Sequence, residues 1–507
     1  MPHPKPPRPR LAFRVAVVGH RRDKFSRTAD PAVANAIAGT LAMVEDAVLT
    51  HLSRNAALYR SELPRFTLYS PLAEGADRVG AQVALDRSGW ELHAVLPFSA
   101  EKYRADFTRE DSEPGSAQEF ARLLEAASAL TVVDGVPGRW DAYSQVGRTV
   151  VDAADLLIAV WDGLDPAGPG GTGSIVRNAR RIDLPVVRID SSPTAAAWLE
   201  DKSCEDEGRT TGLGALASRI DLLLAAPEDP LPALRYFAEK GGPRPVPRLY
   251  DRMVAMLTRI AGSRTGHRHG GPVPADPGGL AEAEWSAAFP ELPGTMPEQV
   301  AERFAAQFGW ADQLAGWYAA AFRASFSAVF LLAAASVAVG GILVLEPSES
   351  AGPGWIMLRM LEPILLGAML WRVWSSRKSA WQERWLDYRA LAERTRHLAI
   401  LWLLARTPAI LRVAPTPLAS DPRLGWVAWL IRATSRQSGL VSGRLYGDYP
   451  DLARKLVIRT EAQQQRAFHA NRRTATGAMD EPVSRLAERL VVLALVLSFL
   501  RLVGLPG

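Results

Sequence analysis

One stretch limits what this chain can fold into more than any other. Phe326–Leu345 runs for about twenty residues without a charged side chain, and a helix rising 1.5 Å per residue over that length matches a hydrocarbon core of about 30 Å. Trp355–Trp374 is a second, mostly apolar run, with Trp355, Trp371 and Trp374 near its ends like an interfacial aromatic belt. Between the two lie Glu346, Pro347, Glu349, Gly352, Pro353 and Gly354, an acidic turn. Arg323 precedes the pair and Arg372, Arg377 and Lys378 close it, so the positive-inside rule predicts a hairpin with both ends in the cytoplasm. Arg359 and Glu362 interrupt the second run. Three apart on a helix, they predict either a paired, snorkelling couple or a polar, pore-facing strip. The competing reading is two buried helices of a large soluble domain.

Upstream the pattern changes. Short apolar strands at Arg14–Val18, Phe66–Ser70, Glu91–Leu96, Leu130–Val133, Leu156–Trp161 and Pro185–Ile189 alternate with helical stretches at Pro31–Arg54, Ala76–Ser88, Ala117–Ala127, Ala142–Ala153 and Ser174–Arg181. That alternation predicts βαβ units, and LLIAVW, apolar on both faces, reads as a strand buried between helical layers. The expected fold is therefore α/β, a Rossmann-like parallel sheet with helices on both faces, followed by an all-α membrane domain with a transmembrane helical hairpin. A chain of 507 residues has room for two or three domains. The expected division is a disordered basic, Pro-rich tail at 1–12, a nucleotide-binding domain at 13–195 and its extension at 196–261. A linker follows at 262–296, rich in Gly and Pro over Gly262–Gly279, and then a helical membrane domain at 297–507. Spans are expected at 326–345 and 355–374. Leu490–Leu500 is either a third span, at 487–505, or an interfacial helix.

Charge and cysteine content narrow the function classes. The formal net charge of +5 has no basic cluster interleaved with aromatics, so no nucleic-acid partner is expected. Cys204 is the single cysteine and the eight histidines are scattered, which leaves no metal site to expect. The first residues, MPHPKPPRPR, hold no apolar run and predict no secretory leader. The chain thus reads as a multi-pass protein of the inner (cytoplasmic) membrane with its N-terminal domain in the cytoplasm.

Three strand ends carry the candidate site, because parallel sheets bind ligands at their carboxyl edge, where helix N-termini face anions. Gly19, His20 and Arg21 follow the first strand, with Arg21 placed to grip a phosphate. Gly75, Ala76 and Asp77 follow the second, where Asp77 either caps a helix or holds a ribose hydroxyl. Asp162 and Gly163 follow LLIAVW, and the loop Gly168–Ser174 (GPGGTGS) opens the next helix with Gly170, Gly171, Thr172, Gly173 and Ser174 as an anion nest. Arg139 and Tyr143 are further lining candidates, while Tyr103, Asp106 and Phe107 read as packing or loop-capping residues. No Lys-Ser/Thr follows the loop and no GxGxxG occurs there, so P-loop and dinucleotide-fingerprint chemistry are not expected.

The succession VGHR, LAEGADR, ADLLIAVWDG and GPGGTGSIV resembles the SLOG superfamily over about Phe13–Asp190. This Rossmann-like group includes the lonely-guy phosphoribohydrolases, the DNA-processing protein A fold and the sensor domain of melastatin-type TRP channels. The hydrolases follow a PGG-x-GT loop with catalytic Glu. Here Ile175, Val176 and Arg177 stand there instead, so the resemblance implies ligand sensing, with no catalytic residue and no cofactor beyond a nucleotide-type ligand. Trp381–Arg394 (WQERWLDYRALAER) after the hairpin resembles SLATT-type two-helix membrane modules. Together the two resemblances imply a nucleotide-derivative sensor coupled to an oligomerising membrane effector, of the kind found in bacterial conflict and phage-defence systems. The alternative is a membrane-anchored nucleotide hydrolase using Asp77 or Asp162.

Overall fold

A computed structural model of the chain describes residues 4–21, 27–109, 112–133, 140–164, 170–192, 194–200, 210–242, 244–260, 272–343, 352–406 and 425–463, with 466 and 470. The expected third span at 487–505, the residues Arg139, Gly168 and Pro169, and the acidic residues of the turn lie outside the described residues.

The α/β reading holds in its coarse form. Strands β1 (Ala12–Gly19), β2 (Arg65–Ser70), β3 (Trp90–Leu96), β4 (Ala129–Val132), β5 (Leu156–Val160) and β6 (Val186–Ile189) are parallel. Two short antiparallel strands missing from the sequence reading, β7 (Ala197–Glu200) and β8 (Thr210–Thr211), extend one edge. A ninth, β9 (Gly443–Arg444), joins the other edge from the far end of the chain, giving the order β8-β7-β6-β5-β1-β2-β3-β4-β9. Alternation along β1 sends Phe13, Val15 and Val17 into one core and Ala16 and Val18 into another, as a two-sided strand requires.

Helices flank both faces. On the first lie α1 (Asp30–Arg54), α2 (Ala76–Leu85), the short α3 (Ala100–Arg104) and α4 (Ser116–Glu125). Val33, Ile37, Leu41, Val44 and Val48 form the buried stripe of α1 at helical spacing. On the second face α5 (Trp140–Ala153) and α6 (Thr172–Arg181) bury Val146, Val150, Val176 and Ala179 over β1, β5 and β6. The extension adds α7 (Leu216–Leu224), α8 (Leu231–Phe237) and α9 (Leu249–Ile260).

The second half is not a separate domain in its soluble part. The expected linker contains α10 (Pro277–Ala288), whose Pro277, Gly278 and Ala281 are buried. Then α11 (Met296–Val300) passes through a π-helical turn at Ala301–Ala305 into α12 (Ala306–Leu343). After α13 (Pro353–Lys378) and α14 (Trp381–Leu403), helix α15 (Gly425–Ser438) lies on the second face of the sheet, and α16 (Tyr449–Val457) follows β9. The reason for the merger is a polar row across that face. Arg14 on β1 is buried against Asp155 at 3.0 Å, and Arg436 of α15 binds the same carboxylate at 3.1 Å. His93 Nε2 lies 2.7 Å from Thr131 Oγ1, whose hydroxyl donates to Val441 O at 2.6 Å. Helices of the first half leave these groups uncovered, and the segment around α15 completes their pairing. The tail at 4–12 is likewise bound, not disordered: Gly241 N donates to Pro4 O at 3.1 Å, Arg60 N to Pro9 O at 3.0 Å, and Arg10 N to Gln437 Oε1 at 2.8 Å.

Two helices among the described residues are long and apolar enough to cross a membrane, Arg27–Arg54 and Met296–Leu343. The first contains α1, which packs on the sheet. The second is two things in one: Trp310, Leu314 and Tyr318 are buried in the body, whereas Phe326, Phe330, Leu331, Val337 and Ile342 are exposed. Helix α13 packs alongside α12 and buries none of its residues; Glu362 comes close to Gly340 of α12. At the base of the pair, Glu239 accepts from Tyr318 Oη at 2.6 Å, Tyr388 Oη at 3.2 Å, Arg384 Nη1 at 3.2 Å and Arg244 Nη2 at 2.8 Å. One carboxylate thus ties the body to the helices that enter and leave the hairpin.

Candidate functional site

The chain runs from β1 to β4 in one direction and returns to β5 on the other side of β1, so the winding reverses between β1 and β5. Open parallel sheets hold their ligands at such a point, outside the carboxyl ends. Here those ends are tightly drawn together. His20 N donates to Val160 O at 3.1 Å, and Ala76 N donates to His20 O at 3.3 Å, tying β1, β5 and the start of α2. A Cβ on Gly19 would stand 2.4 Å from Ala76 Cβ and 2.9 Å from Val160 O; on Gly75, at φ +97°, it would stand 2.4 Å from His20 O. Both glycines are demanded by this approach of backbones.

On the β5 side, His20 Nε2 lies 3.0 Å from Asp162 Oδ1 and 3.2 Å from Asp162 N, and Asp162 Oδ1 also accepts from Leu164 N at 3.0 Å. His20 and Asp162 therefore form one element of the site. Gly163, at φ +86°, is packed beneath the Arg188 guanidinium, which sits 5.0 Å over the Trp161 ring and 4.9 Å over the Trp198 ring. Gly170, at φ +88°, rests against Ser144 and Tyr143 at the start of α5, and Gly171 is the extended residue before α6. Helix α6 begins at Thr172, with Gly173 and Ser174 in its first turn and no acidic residue there; Ser174 N donates to Gly171 O at 2.9 Å, and the N–H groups of that turn meet no carboxylate from the turn itself.

On the β2 side the structure corrects one reading and adds residues. Asp77 is not a helix cap. Gly75 holds that position, and Asp77 is buried inside the first turn, where its carboxylate accepts N–H groups from Gly19 and Ala73. Its Oδ1 has no hydrogen-bond partner. Burial pushes this carboxyl up to about 7, against the opposing pull of Arg21 and the two backbone N–H groups. Arg21 is exposed and lies 5.7 Å over the Tyr143 ring. Tyr143 Oη donates to Asp106 Oδ2 at 2.6 Å, and burial followed by this carboxylate pushes the phenol up to about 12.

Asp106, expected as a loop cap, is thus joined to the lining, and Arg109 holds its other oxygen at 2.6 Å. Tyr103 and Phe107 do pack as expected, in an aromatic cluster with Phe98 and Phe120. Arg78 went unnoticed in the sequence. It is buried over Phe107 at 4.3 Å and donates to Leu72 O, Ser116 and Glu119. Only its adjacency to Asp77 marked it. Among the described residues no group of three or more His, Cys, Asp or Glu is placed to hold a metal ion.

No protein-family model matches the chain, and no curated protein matches it.

Proposed function

We propose that this chain is a membrane-bound receptor for a nucleotide or nucleotide derivative, in which the α/β body passes ligand binding to the hairpin of α12 and α13. The observation that carries the reading is the crevice at the β1–β5 reversal. Glycines there let the backbones of β1, β5 and α2 approach closely, the helix that follows β5 starts without an acidic residue, and Arg21 lies over Tyr143 with no ion pair among the described residues. The same body continues without interruption into a membrane-length helix. The sequence resemblance to SLOG sensors and SLATT-type hairpins supports this reading, and implies a homo-oligomer in nucleotide-signalled bacterial defence that perturbs the inner membrane or forms a pore.

Ligand shifts such an equilibrium only by binding one state better, and a hundredfold preference is worth about 2.7 kcal/mol. The test uses the full-length chain in detergent, heated with AMP, ADP-ribose and cyclic dinucleotides, and then reconstituted in dye-loaded liposomes. Stabilisation by one of these compounds, together with dye release on its addition, is the expected result. No stabilisation by any of them refutes the receptor. A second reading, a membrane-anchored nucleotide hydrolase, is favoured by Asp77 alone, since a carboxyl near 7 in a cleft suits acid–base work. Conversion of the added compound, read by mass spectrometry, would put that reading first.

A further inference from the structure

We infer that the crevice selects its ligand through a hydroxyl donor, the ribose cis-diol of a nucleotide, received by the unpartnered Oδ1 of Asp77. The inference rests on the receptor reading and names what the receptor recognises. A buried carboxylate oxygen without a donor is costly, and native structures almost always supply one. None of the nearby donors reaches it, although Arg78 Nη2 is itself buried without a partner. Ser70 Oγ donates to Asp77 O at 3.0 Å, Tyr143 Oη to Asp106, and Arg78 to Leu72 O, Ser116 and Glu119. A hydroxyl on a bound ligand would supply the missing donor.

Chemistry decides which part of a nucleotide that is. A phosphate offers only acceptors and negative charge to a carboxylate, so it belongs at the α6 start, on the β5 side of β1. Asp77 lies on the β2 side, against Gly19 N. At about 4.8 Å per strand the two positions are roughly 5–10 Å apart, a gap that the sugar of a 5′-nucleotide bridges. Hydroxyls suit the carboxylate, and the cis-diol presents two on adjacent carbons. Oδ1 is covered, so entry requires a side chain to move, and the exposed Arg21 is the one free to swing from the Tyr143 ring.

The groups that bear electrostatically on this corner are Arg21, Arg78, Tyr103, Tyr143 and Asp106. Donation from a hydroxyl favours the ionised carboxylate. Binding should therefore tighten about tenfold from pH 6 to pH 8, as the ionised fraction of a group near 7 rises.

The experiment is calorimetric titration of the full-length chain in detergent with AMP and 2′,3′-dideoxy-AMP, in the wild type and Asp77→Asn. AMP is expected to bind the wild type about ten- to a hundredfold more tightly than the dideoxy compound, the range for a hydrogen bond to a charged group. Asp77→Asn should bind the two alike and lose the extra pH dependence. Equal affinity for both compounds in the wild type overturns the inference and leaves the crevice reading intact. So does a preference that survives in Asp77→Asn, or binding that tightens toward pH 6 relative to the variant. If neither compound binds and inorganic pyrophosphate does not bind either, the receptor reading falls with it. Should the variant not fold, the wild-type diol preference and its growth with pH still decide the matter.

Discussion

Replacing Glu239 tests whether the body and the hairpin helices are held by one carboxylate. Its side chain is 6% exposed, while those of Arg244 and Arg384 are 24% and 25% exposed. In Glu239→Ala the hydroxyls of Tyr318 and Tyr388 lose their acceptor while staying buried, and Arg384 loses its anion. Removing one partner of a buried charged cluster costs about 3–5 kcal/mol. Glu239→Gln keeps a carbonyl oxygen for the two tyrosines and gives up only charge toward two arginines that can turn to water. Its cost should be about 1–2 kcal/mol, in the range of a partly exposed ion pair plus one weakened hydrogen bond. The assay is urea denaturation of the full-length chain in detergent, followed by tryptophan emission; Trp317 lies 4.9 Å from the Tyr318 ring and Trp426 6.2 Å from that of Tyr388. The order wild type, Gln, Ala is the signature. Equal losses in the two variants, or less than about 1 kcal/mol for Ala, would show that the carboxylate is not the tie.

Other residues give equally direct tests. Burial holds the His93 imidazole down to about 3, so between pH 6.5 and about 3 the unfolded chain binds the proton that the folded chain refuses. His93 should contribute a loss of about 2 kcal/mol from pH 8 to pH 5, read as the difference between the wild-type and His93→Gln profiles in denaturant melts at each pH, since the raised Asp77 carboxyl acts with the opposite sign over the same range. Gly75→Ala combines φ +97° with a 2.4 Å clash on His20 O, whereas Gly89→Ala has φ +87° and open space around it. Strain alone predicts about 1 kcal/mol at Gly89 and a larger loss at Gly75, with nucleotide binding abolished only there. Asp155→Ala strands Arg14 and Arg436, both buried, and should cost about 3–5 kcal/mol in the same melts.

What the sequence made legible follows from where its signals are local. Continuous apolar runs such as LLIAVW announce buried strands, and the glycines after β1, β2 and β5 announce close backbone approach. The strand ends were readable for that reason. Asp106 and Arg78 were not, because their roles depend on Tyr143 and Phe107 arriving from other elements. β9 was hidden as a two-residue strand, made only where Leu445 N reaches Val132 O. The division into domains went astray at one point. A Gly/Pro-rich stretch marks a break in regular structure, and carries no information about whether the chain beyond it returns to the same core.

That return has a consequence for dissecting the protein. A fragment ending at Ile260 removes α15, and with it Trp426, Trp429 and Leu430 of the shared core as well as Arg436, the second cation on Asp155. At about 1.5–3 kcal/mol per large buried side chain, the loss rivals the whole stability of a domain, about 5–15 kcal/mol. Such a fragment should be insoluble or bind dye as an open core. Excising residues 326–374 and joining the ends with a flexible linker removes, among the described residues, mostly exposed helix, since Phe326, Phe330 and the whole of α13 bury little and only Ser327, Ser336 and Val339 are buried. This variant should be soluble without detergent, should melt cooperatively, and should retain whatever nucleotide binding the full chain has. If the fragment to Ile260 folds and the hairpin deletion does not, the hairpin is part of the core and the body is two domains after all.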